Sequence, residues 1–191
     1  MPRLFVAIDL PEPLKIALSG ICHGIPGVRW LPPAQLHLTL SFIGEVEDCM
    51  FQAIRSTLSG SGLPPASCRL RGIGCFPAKG RPRVIWAGVD DDGAGLTAMH
   101  AQVEQDLRRL GISPEERPFT PHITLARLKE PPRESVAAFL TRNAEFQGGP
   151  FAVSAFHLYS SHLTPQGAVH TLEHTYRCAT GASQGIRCQT P

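Results

Sequence analysis

Two short stretches of the chain carry residue types suited to proton transfer at phosphorus: His37-Leu38-Thr39-Leu40 and His122-Ile123-Thr124-Leu125. Both read His, apolar, Thr, apolar. Strand side chains alternate faces, so His37 and Thr39 share one face while Leu38 and Leu40 share the other, and the second stretch repeats the arrangement. Imidazole titrates at about 6.5, so a histidine pair can divide general acid and general base work near neutrality. Threonine hydroxyls donate hydrogen bonds to oxyanions without adding charge. In-line displacement at phosphorus needs a base on the attacking oxygen, an acid on the leaving oxygen and donors on the non-bridging oxygens, and these four side chains supply all three. Each proton transfer contributes about 10²- to 10⁴-fold, modest help for an unstrained diester. A five-membered cyclic phosphate, whose ring strain already activates the leaving group, is the better-matched substrate.

The elements that must present these residues recur in order. "RLFVAIDL" is predicted as a strand, "PEPLKIALSGICHG" as a helix with Pro near its start, the His37 stretch as a strand, "EVEDCMFQAIRSTLSG" as a helix closing on Gly60, and "SCRLRGIGCF" as a strand. The second half follows suit with "RVIWAGV", the amphipathic "GLTAMHAQVEQDLRRLG", "PHITLARL", "PRESVAAFLTRNA" and "FAVSAFHLYSS", the last read as one strand. "AVHTLEHTYRC" then pairs back as a hairpin. The repeated order predicts an α+β fold of two pseudo-symmetric lobes. Each lobe is a mainly antiparallel sheet backed by helices, with a central cleft carrying the two His-x-Thr strands. A single bilobal domain is expected over 1–178, dividing near 1–80 and 81–178, with a loose tail over 179–191.

Composition narrows the function classes. In 191 residues, 42% hydrophobic and 18% charged, the chain has globular proportions, and a net charge of +2 argues against a non-specific DNA coat. The basic "KGRPR" stretch from Lys79 to Arg83 reads as a surface loop. Six scattered cysteines without a C-x-x-C pair predict reduced thiols, and no run resembles a signal peptide or a membrane span. A cytoplasmic, monomeric protein is expected.

From "RLFVAIDLP" through "RWLPPAQLHLTLSFIGEV", "PRVIWAGV" and "RPFTPHITLARL" to "LYSSHLTPQG", the sequence resembles the two-histidine (2H) phosphoesterases, and within them the LigT-like (ThpR) RNA 2′,3′-cyclic phosphodiesterases. The resemblance implies hydrolysis of RNA 2′,3′-cyclic phosphate ends to 2′-phosphate ends without metal or cofactor. It also implies reversible 2′,5′ ligation of tRNA halves. On this resemblance Thr39 and Thr124 hold the phosphate, His37 is the general acid on the departing 3′ oxygen and His122 the general base on water.

Five positions beyond each histidine stand Phe42 and Arg127, an aromatic ring and a guanidinium plane at equivalent places, suited to sandwich a nucleobase. Strict alternation would turn both away from the cleft, so this reading requires a twist, bulge or strand end just after Ser41 and Ala126. His170 occupies a place where relatives often carry tyrosine and reads as a surface strand residue. His157, His162, His170 and His174 lack metal-ligand spacing, and His23 and His100 carry no signal. A nucleotide- or RNA-end-binding module without catalysis is the alternative, although binding alone has no need of a matched acid and base.

Overall fold

The strand that carries His37 is anchored by its leucines. β3 (His37–Glu45) leaves Leu38 and Leu40 at most 2% exposed; fully burying one such side chain is worth about 1.5–3 kcal/mol. The computed structural model describes residues 1–113, 115, 117–164 and 167–179. In it β3 pairs antiparallel with β1 (Arg3–Asp9), which pairs with β8 (Ala155–Thr164), the partner of β9 (Gly167–Arg177) in a hairpin. The other marked strand, β6 (His122–Arg127), buries Ile123 and Leu125 completely and pairs with β5 (Val84–Asp91). β5 leads through β4 (Ala66–Phe76) to β7 (Gln147–Val153). β3 and β6 meet where Leu38 opposes Ile123, which joins all of these strands into one sheet in the order β7-β4-β5-β6-β3-β1-β8-β9. The short β2 (Arg29–Trp30) lies against the far end of β6.

The helices α1 (Glu12–Ile21), α2 (Asp48–Ser59), α3 (Gly95–Arg109) and α4 (Arg133–Arg142) complete the expected α+β architecture. α3 buries Leu96, Met99, Val103 and Leu107 at helical spacing and packs against β3, β4 and β5. The last residue of β5 starts this helix: the Asp91 carboxylate accepts hydrogen bonds from the backbone N–H groups of Leu96 and Thr97 at 3.0 and 2.8 Å. α4 seats the fully buried Phe139 against Trp30, with ring centroids 5.0 Å apart. Among the described residues no helix is long and apolar enough to cross a membrane.

Two features depart from the linear order of the sequence. "FAVSAFHLYSS" is two strands, because its first half pairs with β4 and its second half with β1, with Ser154 between them. The chain turns over at Ser154, and β7 and β8 run to opposite ends of the sheet. Hydrogen bonding also crosses the boundary near residue 80: β4 joins β5 and β7, while β8 and β9 join β1 and β3. Residues 180–191, nearly all of the expected tail, lie outside the described residues.

α3 and β3 also share a polar contact inside the core. The Ser41 hydroxyl donates to Glu104 Oε1 at 2.7 Å, and both residues are buried. Ser41→Ala would strand that carboxyl group, so it should lower unfolding stability by about 1–3 kcal/mol. Adding Glu104→Leu should recover part of the loss, as measured by chemical denaturation of both variants.

Candidate active site

The antiparallel register sets Leu38 opposite Ile123. Alternation on either side of this pair turns His37 and Thr39, and His122 and Thr124, away from the buried Leu38 and Ile123, so the four polar side chains form a quartet on one face of the β3–β6 junction. Neither threonine hydroxyl is engaged in a hydrogen bond within the described residues. Each histidine is fixed in the same way. His37 Nδ1 lies 2.8 Å from the carbonyl oxygen of Gln35, and His122 Nδ1 lies 2.7 Å from that of Thr120. A carbonyl only accepts, so Nδ1 carries a proton in both rings and Nε2 is left to face the cleft as acceptor or, when protonated, as donor.

Both strands then break alternation at the same step. Ala7 pairs with Thr39 and Val6 with Ser41, leaving Leu40 as an extra residue; Trp86 pairs with Thr124 and Ile85 with Ala126, leaving Leu125 as the extra residue. These matched bulges put two consecutive buried residues after each threonine and swing the next side chain outward. Phe42, 53% exposed, and the exposed Arg127 thus stand on the histidine side of their strands, where the base-sandwich reading needs them. The bulge carbonyls are held by different donors. Leu40 O accepts from His100 Nδ1 of α3 at 2.8 Å, and Leu125 O accepts from the backbone N–H of Leu31 at 2.8 Å. His100 in turn stacks on Phe119, with centroids 4.0 Å apart.

The sequence reading missed the neighbours of His37. Phe5 lies beneath it at 5.0 Å between centroids and also touches Phe42, Tyr159 and His170. His170 stands edge-on to His37 at 5.4 Å, so this residue belongs to the site and is not a bystander of the hairpin. Gln35 docks the same hairpin by donating from Nε2 to Ala168 O at 2.8 Å while its own carbonyl orients His37. Asp9, opposite His37 in the β1–β3 register, accepts from the Tyr159 hydroxyl at 2.8 Å. Around His122 stand Phe76 at 5.1 Å and Trp86 at 6.3 Å. Gly74 is required here, since a Cβ on it would lie 2.3 Å from the Trp86 ring. Among the described residues no three His, Cys, Asp or Glu side chains gather as a metal ion would need.

The family model described as LigT-like phosphoesterase matches this sequence twice, over residues 8–86 and 88–170, one match for each His-x-Thr strand. The chain belongs to the LigT-like phosphoesterase family. A curated relative from Archaeoglobus fulgidus, named RNA 2′,3′-cyclic phosphodiesterase, is 34% identical over 171 residues, covering 88% of this chain and 96% of the relative. The crystal structure of TT0787 of Thermus thermophilus superposes with a TM-score of 0.82 at 31% identity, covering 94% of this chain and all of that one. E. coli LigT complexed with 3′-AMP superposes with a TM-score of 0.73 at 26% identity, covering 94% of this chain and 99% of that one.

Within this LigT-like phosphoesterase the two histidines sit in unequal surroundings. Burial lowers the His37 pKa from 6.5 to about 4, aided by the neighbouring His170 and Arg127, while the Gln35 carbonyl and Asp9 pull the other way. That displacement makes the protonated ring about 3 kcal/mol less favourable than in water. Burial and Arg127 lower His170 as well. His157 is lowered by burial, against the opposing pull of Asp9. Two buried ring nitrogens, Trp86 Nε1 and His170 Nδ1, find no hydrogen-bond partner, and each lies beside one of the histidines. Such unmet groups concentrate where a fold serves function over stability.

NMR titration of His37 in the free protein should give a midpoint near 4, raised in His170→Ala and raised again when inorganic phosphate binds. Because the folded value lies below the unfolded one, the unfolded chain binds the extra proton between the two. Stability should therefore be unaffected by this ring above about pH 6.5 and should fall as pH drops toward 4. His37→Gln should flatten that slope in denaturation curves recorded across the range.

Proposed function

We propose that the protein hydrolyses RNA 2′,3′-cyclic phosphate ends to 2′-phosphate ends without metal or cofactor, by general acid and base catalysis from His37 and His122. The observation that carries this reading is the matched pair of histidines on adjoining strands, each with Nδ1–H tied to a carbonyl and Nε2 free. The curated relatives named RNA 2′,3′-cyclic phosphodiesterase and the 3′-AMP complex of E. coli LigT support the substrate class.

Water attacks phosphorus as His122 Nε2 takes its proton, the P–O3′ bond breaks, and O3′ takes a proton from His37 Nε2–H. Thr39 and Thr124 donate to the non-bridging oxygens. With a 5′-hydroxyl in place of water, the same steps form a 2′,5′ linkage and run in reverse, which is the ligase activity expected from the resemblance. Phe42 and Arg127 grip the terminal base from either side. As acid, His37 must gain a proton that its free site disfavours by about 3 kcal/mol. A phosphate anion about 4 Å from the ring offers roughly 4 kcal/mol at an effective dielectric of about 20, enough to offset it. The substrate thus brings the charge that loads its own acid.

Five unpaired cysteines among the described residues support a reducing cytoplasm.

A short RNA with a cyclic end should yield only the 2′-phosphate product, at an undiminished rate in excess EDTA. His37→Ala and His122→Ala should each lower kcat by about 10²- to 10⁴-fold. Phe42→Ala should raise KM by roughly 5- to 100-fold, the scale of one base–aromatic stack. A 3′-phosphate product would reverse the direction of ring opening, and tight binding without turnover would leave an RNA-end-binding module.

A further inference from the structure

We infer that Arg29 holds the phosphate preceding the terminal nucleoside of an RNA end, so that the cleft takes oligoribonucleotides in preference to mononucleotides; this deepens, and rests on, the function proposed above. Arg29 and Arg127 are directly opposed in the β2–β6 register. Opposed residues of an antiparallel pair project to one face, and like charges in that relation are destabilising. Among the described residues neither guanidinium has a carboxylate partner or a side-chain hydrogen bond, although five other arginines do find carboxylates. Two exposed, mutually repelling guanidinium groups without an acidic neighbour make a site for an anion supplied from outside.

The location selects which anion. Arg127 lies close enough to His37 and His170 for its charge to act on both rings. Arg29 lies on β2 directly beside β6, and its guanidinium reaches toward the β8–β9 hairpin, 3.8 Å from where a Cβ on Gly167 would sit. Trp30, the next residue, is packed on Phe139, so the backbone of Arg29 is fixed from the core side. A guanidinium offers its face to a ring and its edge to a phosphate. With the scissile phosphate at the threonines and the terminal base at Phe42 and Arg127, the phosphate 5′ of that nucleoside falls to Arg29, with the edge of Arg127 beside it. A mononucleotide has no group for this place.

Calorimetry with two uncleavable ligands tests the inference: the dinucleotide ApAp, bearing a 3′-phosphate, and 3′-AMP. The wild-type protein should bind ApAp tighter by on the order of tenfold, the scale of one charge-assisted hydrogen bond. Arg29→Ala should abolish that ratio, Arg29→Lys should keep part of it, and the log-log salt dependence for ApAp should become shallower by roughly 0.7 in Arg29→Ala. The ratio cancels any loss of folded protein common to both ligands. An unchanged ratio, an equal loss for both ligands, or no wild-type preference for ApAp overturns the inference. If 2′,3′-cyclic AMP is hydrolysed while ApAp has no advantage, the subsite alone fails. If the Arg29-dependent advantage holds without hydrolysis of cyclic ends, the subsite stands and the catalytic reading falls.

Discussion

Leu38 and Ile123 oppose each other across β3 and β6, and this contact sets the separation of everything reactive in the molecule. Both side chains are buried, so a slip of one residue in either strand would expose a leucine row and bury a histidine row. Register is therefore enforced by hydrophobic burial on one face while the polar quartet sits on the other. The strands diverge beyond this pair, and β2 takes the place of β3 against β6 where they part. The cleft exists because the two strands touch at one point and separate beyond it.

A second constraint lies in the matched bulges. An extra residue at Leu40 and at Leu125 lets one short strand carry three consecutive roles: polar residues toward the cleft, two buried residues toward the core, then an exposed residue toward the cleft again. A regular strand cannot do this. The two bulges share geometry but not support, since His100 of α3 holds one carbonyl and the backbone of Leu31 holds the other. The backbone path is the same in both halves, and the means of holding it differ.

Most of the fold was legible in the sequence because its cause is local. Apolar periodicity marked the helices, and the repeated His-x-Thr pattern marked both cleft strands. What escaped notice depends on distant partners. "FAVSAFHLYSS" alternates well enough to pass for one strand, and only the destinations of its halves, at opposite ends of the sheet, reveal the break at Ser154. His170 looks like any surface histidine until Gln35 docks its hairpin beside His37, 133 residues away in sequence from the Ala168 carbonyl that it binds. His100 had no pattern to betray it, because its partner is a backbone carbonyl. Spacing by five placed Phe42 and Arg127 at equivalent positions, and the irregularity expected just after Ser41 and Ala126 falls instead one residue before each, at Leu40 and Leu125.

A pseudo-symmetric pair of identical side chains must still do two different things in one reaction, so the difference has to come from what surrounds them. The register supplies the comparison: Asp9 stands opposite His37, where Gly88 stands opposite His122. Ser41, tied to a buried carboxyl group, corresponds to Ala126, and Phe42 corresponds to Arg127. His170 adds a second imidazole on one side only. Asp9 and His170 change the electrostatics around His37, while the bond from Nδ1 to a backbone carbonyl is the same in both rings. Orientation is thus shared by the two halves while the charged and aromatic neighbours differ, which is what two different roles for identical side chains require.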